Sequence, residues 1–318
     1  MTTPHTTPYP AAHIIKEIGR GKKGARSMSR EDARELYTAM LDGRVSDLEL
    51  GGILLAMRIK GESVEEIAGF LDAAEASFAP LRAPAGSSAP VIIPSYNGAR
   101  KMANLTALLA LLLAREGVPV LVHGVPHDPG RVATAEVLAE LGIAPACTHA
   151  EAEALMAAGK PAFITIDALA PKLAHMLSLR RVLGVRNSTH TLVKIMQPFA
   201  GPALRLVSYT HPEYLEMLGE YFTTAVDPAR GDAFLMRGTE GETVANANKG
   251  QKIDWFHNHE RTVLVEKAVE AEENIVLPVD KSATATAEWI ASVLRGDVPI
   301  PASIAEQVAQ CTKAARAM

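Results

Sequence analysis

Residues 91–106 read VIIPSYNGARKMANLT: an apolar run, a turn at Gly98, two adjacent cations, then Asn104 and Thr106 at the head of a long apolar stretch. A strand that ends in a glycine turn and passes into a helix can receive a phosphate on its backbone N–H groups and on the helix start. This stretch holds one glycine, no acid, and the neighbouring cations Arg100 and Lys101. Its residue types suit reception of an anion by peptide groups and positive side chains.

The cations of the chain are concentrated although its formal net charge is -4. Residues 14–30, IIKEIGRGKKGARSMSR, carry six Lys/Arg against one Glu, and residues 171–205 carry six Lys/Arg and no acid. Two basic segments in an otherwise acidic chain favour local binding of a polyanion. Basic helices that face water or acidic neighbours are the plainer alternative. In the first segment Lys16 and Arg20 precede GKKGAR, whose glycines would let Lys22, Lys23 and Arg26 follow an irregular phosphate chain at an entropic cost. In the second, Arg180, Arg181, Arg186 and Lys194 could join Arg100 and Lys101 in one groove. Aromatic residues make up only 5% of the chain. Extensive base stacking is therefore not expected, and phosphate contacts should dominate over base readout.

Other reactive groups lead nowhere comparable. WFHNHE at 255–260 sets His257 and His259 on one face of a strand, but no second ligand pair follows, so surface histidines are expected. His211 before Pro212 reads as a helix entry. His123 has no serine or cysteine placed beside it to form a triad. Cys147 and Cys311 are too far apart in sequence for a disulfide framework or a zinc spacing. No metal site is assigned. The longest apolar run, LTALLALLLA, falls short of the ~18–20 residues a membrane span needs and reads as a buried helix. The N-terminus lacks the pattern of a signal peptide. A cytoplasmic protein without membrane association is the expectation.

The elements that must position these residues are legible in outline. Residues 1–10, with three prolines, read as a disordered tail. Three helices follow between 11 and 80, with Ser29, Ser46 and Ser63 as N-caps and Gly43 and Gly61 as stops. A Pro/Gly/Ser-rich linker at 79–90 then gives way to short apolar strands alternating with helices: 91–95, 118–124, 162–166, 203–209 and 232–238. That alternation specifies an α/β domain over 81–318 with a mostly parallel central sheet, beside a small all-α bundle over 11–80 completed by helices near 170–198.

The order of parts resembles the anthranilate phosphoribosyltransferase family, of the dimeric nucleoside phosphorylase and phosphoribosyltransferase class. The match is carried by IIKEIGRGK, ELGGILLAMRIKGE, IPSYNGARK followed by ANLT, GVRNS, THPEY and RGTEGE, and spans about residues 13–280. It is nearest to a divergent YbiB-type branch, whose members look like nucleic-acid-binding homodimers. The resemblance implies dimerisation through the α domain.

Enzymes of the family hold phosphoribosyl pyrophosphate with a GTGGD loop. The corresponding positions here are Pro94, Ser95, Tyr96, Asn97 and Gly98, followed by the matched Asn104 and by Thr106 at a serine position. The family's KHGN becomes VHGV, keeping His123 and Gly124 but losing the lysine and asparagine. Its acidic magnesium motif DGLDE becomes EGETV, with Glu240 and Glu242 left nearby. Arg180 matches the arginine that faces the aromatic amine, and Lys194 stands where the family has proline. Three chemical elements are degraded together. The expected function is a non-catalytic, largely sequence-independent DNA- or RNA-binding homodimer without cofactor. Ser95, Asn97, Gly98, Asn104, Thr106, His123 and Gly124 would be remnants of a diphosphate site. An acidic protein is the other partner such cations would accept. The alternative is an active phosphoribosyltransferase that uses phosphoribosyl pyrophosphate and magnesium.

Overall fold

Serine caps start the N-terminal bundle of the computed structural model, which describes residues 7–21, 23–86, 88–267 and 275–318. A short α1 (Ala12–Ile18) comes first, so the described bundle has four helices where the sequence suggests three. Ser29 caps α2 (Arg30–Leu41) by accepting from Asp32 N–H, and Ser46 and Ser63 form full capping boxes on α3 (Asp47–Lys60) and α4 (Val64–Glu75). Such caps satisfy N–H groups that a helix start leaves without partners. Helices α2 and α4 pack face to face, with the Tyr37 and Phe70 rings stacked at 5.0 Å. The end of the proposed tail is docked: Tyr9 N–H donates to the Arg44 carbonyl at 2.9 Å and its ring lies under the Arg44 guanidinium. Residues 1–6 of that tail lie outside the described residues.

The second layer begins with β1 (Val91–Ser95), α5 (Thr106–Arg115), β2 (Val120–Gly124), α6 (Thr134–Glu140), α7 (His149–Ala157) and β3 (Ala162–Thr165). The chain then returns to the bundle through α8 (Ile166–Leu169), α9 (Pro171–Ser178), α10 (Arg180–Leu183) and α11 (Thr189–Ile195). Tyr37 Oη and Thr189 Oγ1, 2.7 Å apart in the interior, tie α2 to α11. The sheet resumes with β4 (Leu204–Ser208), α12 (Pro212–Thr224), β5 (Ala233–Met236), β6 (Ile253–His257) and β7 (Glu260–Val265), and the chain closes with α13 (Ala283–Arg295) and α14 (Ala302–Ala317).

The described strands form one seven-stranded sheet in the order β3-β2-β1-β4-β5-β6-β7, parallel except for the antiparallel pairs β5–β6 and β6–β7. Alternation along the strands divides the interior. Ile92 and Leu121 belong to the core shared with the bundle, while Val91, Ile93, Val120 and Val122 join the core built with α5, α13 and α14. The parallel strands are buried on both faces, which explains their continuous apolar runs.

The 255–260 expectation fails in one respect. His257 ends β6, but Asn258 and His259 occupy the left-handed turn to β7, with φ of 47° and 66°, so the two histidines do not share a strand face. His257 Nδ1 instead meets Asp232 at 2.9 Å. The following strand, β7, ends at Val265, and residues 268–274 lie outside the described residues.

Candidate functional site

Strand order reverses between β1 and β4: the chain goes from β1 outward to β2 and β3, then restarts at β4 and goes the other way. Ligand sites of open α/β sheets lie beyond the carboxyl ends of strands at such a switch point. Here those ends are Ser95 and Ser208, so the loops at 96–104 and 209–211 form the crevice.

The turn after β1 is built to receive an anion, and the anion it receives belongs to the chain. Glu242 Oε1 accepts from the N–H groups of Asn97 and Gly98 at 2.8 and 2.7 Å. Glu240 Oε1 accepts from Lys101 and Met102 N–H at 2.8 and 3.0 Å, with Arg100 N–H at 3.3 Å. Gly98 has the φ of 63° that lets successive N–H groups converge, and a Cβ there would meet the Val132 carbonyl oxygen at 2.7 Å. Gly241, between the two glutamates, passes so close to Asn97 that its carbonyl accepts from Asn97 Nδ2 and from Ser208 Oγ, both at 2.7 Å. Glu242 is buried, and its second oxygen has no hydrogen-bond partner.

The other positions expected at the diphosphate site lie close together, with Ser95 and Asn104 sharing Thr134 and His123 meeting Tyr96. Ser95 Oγ donates to Thr134 Oγ1 at 2.7 Å, and Asn104 Nδ2 donates to Thr134 Oγ1 and to the Val132 carbonyl, each at 3.0 Å. Asn104 Oδ1 accepts from Thr106 N–H, and Thr106 Oγ1 is buried without a partner. His123 Nδ1 meets Tyr96 Oη at 2.7 Å, and burial pushes the imidazole down to about 3, so it is neutral. Gly124 ends β2 beside Ser95. Ser95 Oγ and Asn104 Nδ2 are thus engaged internally, whereas Thr106 Oγ1 and His123 Nε2 have no partner among the described residues.

The two glutamates stand where the family's acidic magnesium motif would lie, and their oxygens are turned onto backbone N–H groups. The backbone N–H dipoles that converge on their oxygens would oppose a cation, and no group of three or more acidic, histidine or cysteine ligands occurs among the described residues.

Beside this filled turn lies a cleft of 610 Å³ between the bundle and the sheet, lined from the end of α3 by Arg58–Glu62, from around α11 by Arg186, His190 and Lys194, and from beyond β4 by Ser208–His211 and Tyr214. Of the cations singled out in the sequence, Arg186 and Lys194 line it. Arg180 sits near enough to act electrostatically on Arg186, as do Arg131 and Arg58, which sequence reasoning missed. Burial, helped by Arg186 and Arg131 and opposed by Glu242, pushes the Lys194 ammonium down to about 8. Burial and the neighbouring cations Arg186, Arg180 and Lys194 push His190 to about 4. Among the described residues no acid forms an ion pair with Arg58, Arg180, Arg181, Arg186 or Lys194. The lining Lys60, by contrast, is paired with buried Glu66.

The expected single groove is only partly assembled. Arg100 and Lys101 are exposed on the filled turn, and neither they nor Arg181 line the cleft. Lys16, Arg20, Lys23 and Arg26 lie apart, around α1, where Glu17 pairs with both Arg20 and Arg26. Lys22 lies outside the described residues. Separation in the fold, with α1 packed on α3, keeps this segment out of the cleft.

Residues 12–77 match the helical bundle domain of the glycosyl transferase family. The chain is 47% identical to the uncharacterised protein YbiB of Escherichia coli K12, over 94% of this chain and 92% of that protein. It is 30% identical to anthranilate phosphoribosyltransferase 2 of Ralstonia nicotianae, over 70% of this chain and 63% of that enzyme. Its fold matches the anthranilate phosphoribosyltransferase of Thermus thermophilus with a TM-score of 0.69 at 22% identity, covering 95% and 88% of the two chains. The Saccharomyces cerevisiae enzyme in complex with PRPP and Mg matches with a TM-score of 0.71 at 13% identity, covering 97% and 88%. No described helix is long and apolar enough to cross a membrane. By its bundle, its sheet order and these relatives, the chain belongs to the anthranilate phosphoribosyltransferase-like family.

Proposed function

We propose that this chain is a non-catalytic nucleic-acid-binding homodimer on a phosphoribosyltransferase-like scaffold, contacting phosphate groups through lysine and arginine with little base preference. One observation carries the reading: the chain's own Glu240 and Glu242 occupy the N–H groups of the turn, while Arg186 and Lys194 in the neighbouring cleft form no ion pair among the described residues. A small diphosphate would have to displace two carboxylates, one of them buried. A polyanion lying across Arg58, Arg180, Arg186 and Lys194 needs no such displacement and gains from counterion release.

The dimer reading rests on α3. Leu48, Leu55 and Ile59 are 88%, 46% and 58% exposed, and with Gly52 they make one stripe at helical spacing. Space above Gly51 and Gly52 is open, which would let a second copy approach closely. A two-fold pair would double each basic segment and raise avidity.

The alternative, an active transferase, draws on the enzymes 29–30% identical to this chain. Anisotropy of a labelled 30-mer, single- and double-stranded, at several salt concentrations beside calorimetry with phosphoribosyl pyrophosphate and magnesium decides between them. Submicromolar, steeply salt-dependent binding with no diphosphate heat supports the proposal. A magnesium-dependent diphosphate signal without oligonucleotide binding restores the transferase, and capture of an acidic protein in place of oligonucleotide would identify a protein partner.

A further inference from the structure

We propose that the cleft between bundle and sheet seats the terminal phosphate monoester of a nucleic-acid strand together with its end nucleotide; this rests on the nucleic-acid reading above.

The shape is that of a recess. Its rim is exposed (Arg58, Ile59, Arg186, His211), its walls are half-buried (His190, Lys194, Tyr209, Tyr214), and its floor is buried (Ile195, Ser208, Leu218). The internal phosphates of a continuous strand run past such an opening. A strand end can enter it, and 610 Å³ is in the size range of small-ligand sites.

Charge selects the same feature. The Lys194 ammonium, in the wall, makes no hydrogen bond or ion pair among the described residues, and Arg186 has only a 3.4 Å contact with Asn97 Oδ1. Two acids also line the recess, Glu62, which accepts from Ser188 Oγ, and Glu213 at the rim. A monoester carries about -1.5 to -2 charges near neutral pH against -1 for a diester. It therefore gains more from Lys194, Arg186 and Arg58 than an internal linkage does. Tyr209 and Tyr214, which line the same recess from beyond β4, offer aromatic surface to the base attached to that phosphate. These tyrosines concentrate at one place what a chain poor in aromatics otherwise lacks.

The test uses the full chain and three oligothymidylate 12-mers, labelled away from the end under study: one with a 5′-phosphate, one with a 3′-phosphate and one with hydroxyl ends. The expected result is binding about tenfold tighter for one phosphorylated end than for the hydroxyl form, the scale of a charge-assisted hydrogen bond. Lys194→Met should bring that ratio to about one, with circular dichroism confirming that the variant is folded. Which phosphorylated oligomer gains identifies the end. Equal affinity of all three for the unmodified chain overturns this inference and leaves the nucleic-acid reading standing. Absence of binding by all three overturns both.

Discussion

Glu242 and Gly98, 144 positions apart in the chain, are joined by a 2.7 Å hydrogen bond from the glycine N–H to the buried carboxylate. The same oxygen holds Asn97 N–H at 2.8 Å, so one side chain closes the turn at the end of β1. Glu242→Ala leaves two N–H groups without partners, and the cost of such groups, about 1–3 kcal/mol each, should lower the melting temperature by several degrees. Glu242→Gln keeps an acceptor and should recover most of the loss. Equal melting of both variants with the parent would show that the carboxylate does not hold the turn.

Arg180 and Arg181 are exposed and unpaired by acid among the described residues, and Arg180 lies near the cleft cations. Reversal of both to glutamate should weaken oligonucleotide binding and reduce the slope of log K against log salt by about 1–2 units. An unchanged slope would remove them from the interface.

Binding should also depend on Lys194. Burial lowers this ammonium to about 8, and a bound anion favours its protonated form. Affinity is then complete below about pH 8 and falls as pH rises through that value, by up to about tenfold by pH 9. Lys194→Arg, which stays charged, should flatten that decline in anisotropy titrations, whereas an identical decline in the variant would assign the effect elsewhere.

His123 bears on acid stability. Its ordinary value is 6.5 and burial lowers it to about 3, so between these values the unfolded chain takes up a proton that the folded chain refuses. The stability this histidine contributes is complete above pH 6.5 and is lost as pH falls toward 3, by up to about 1.4 kcal/mol per pH unit. His123→Gln should make denaturant midpoints less sensitive to pH between about 6.5 and 4.5. A slope identical to that of the parent would contradict the assignment.

Leu55→Glu with Ile59→Glu places two charges on the exposed stripe of α3. In sedimentation the parent should run at twice the 33.9 kDa chain mass and the variant as a monomer with unchanged melting of secondary structure. A monomeric parent would end the dimer reading.

Local chemistry was legible in the sequence because it acts over a few residues. Serine caps, glycine stops and alternating apolar strands specify the bundle, the strands and their boundaries, since each depends on neighbours within one turn or one strand. The departure of this loop from the family's glycine-rich pattern could be read for the same reason: Pro94 offers no N–H, and Tyr96 and Asn97 carry side chains where the family has glycines. Tertiary structure alone decided what occupies that loop. EGE at 240–242 looks like an altered metal motif, and only the packing of β4 beside β1, and of β5 beside β4, turns its carboxylates onto N–H groups of a turn far away in the chain. It also sorted the cations, bringing Arg58 and Arg131 toward Arg186 and Lys194 and leaving Lys16, Arg20, Lys23 and Arg26 around α1. A basic residue is recognisable from its type, but its partners are set by which elements pack together, and that information is not local.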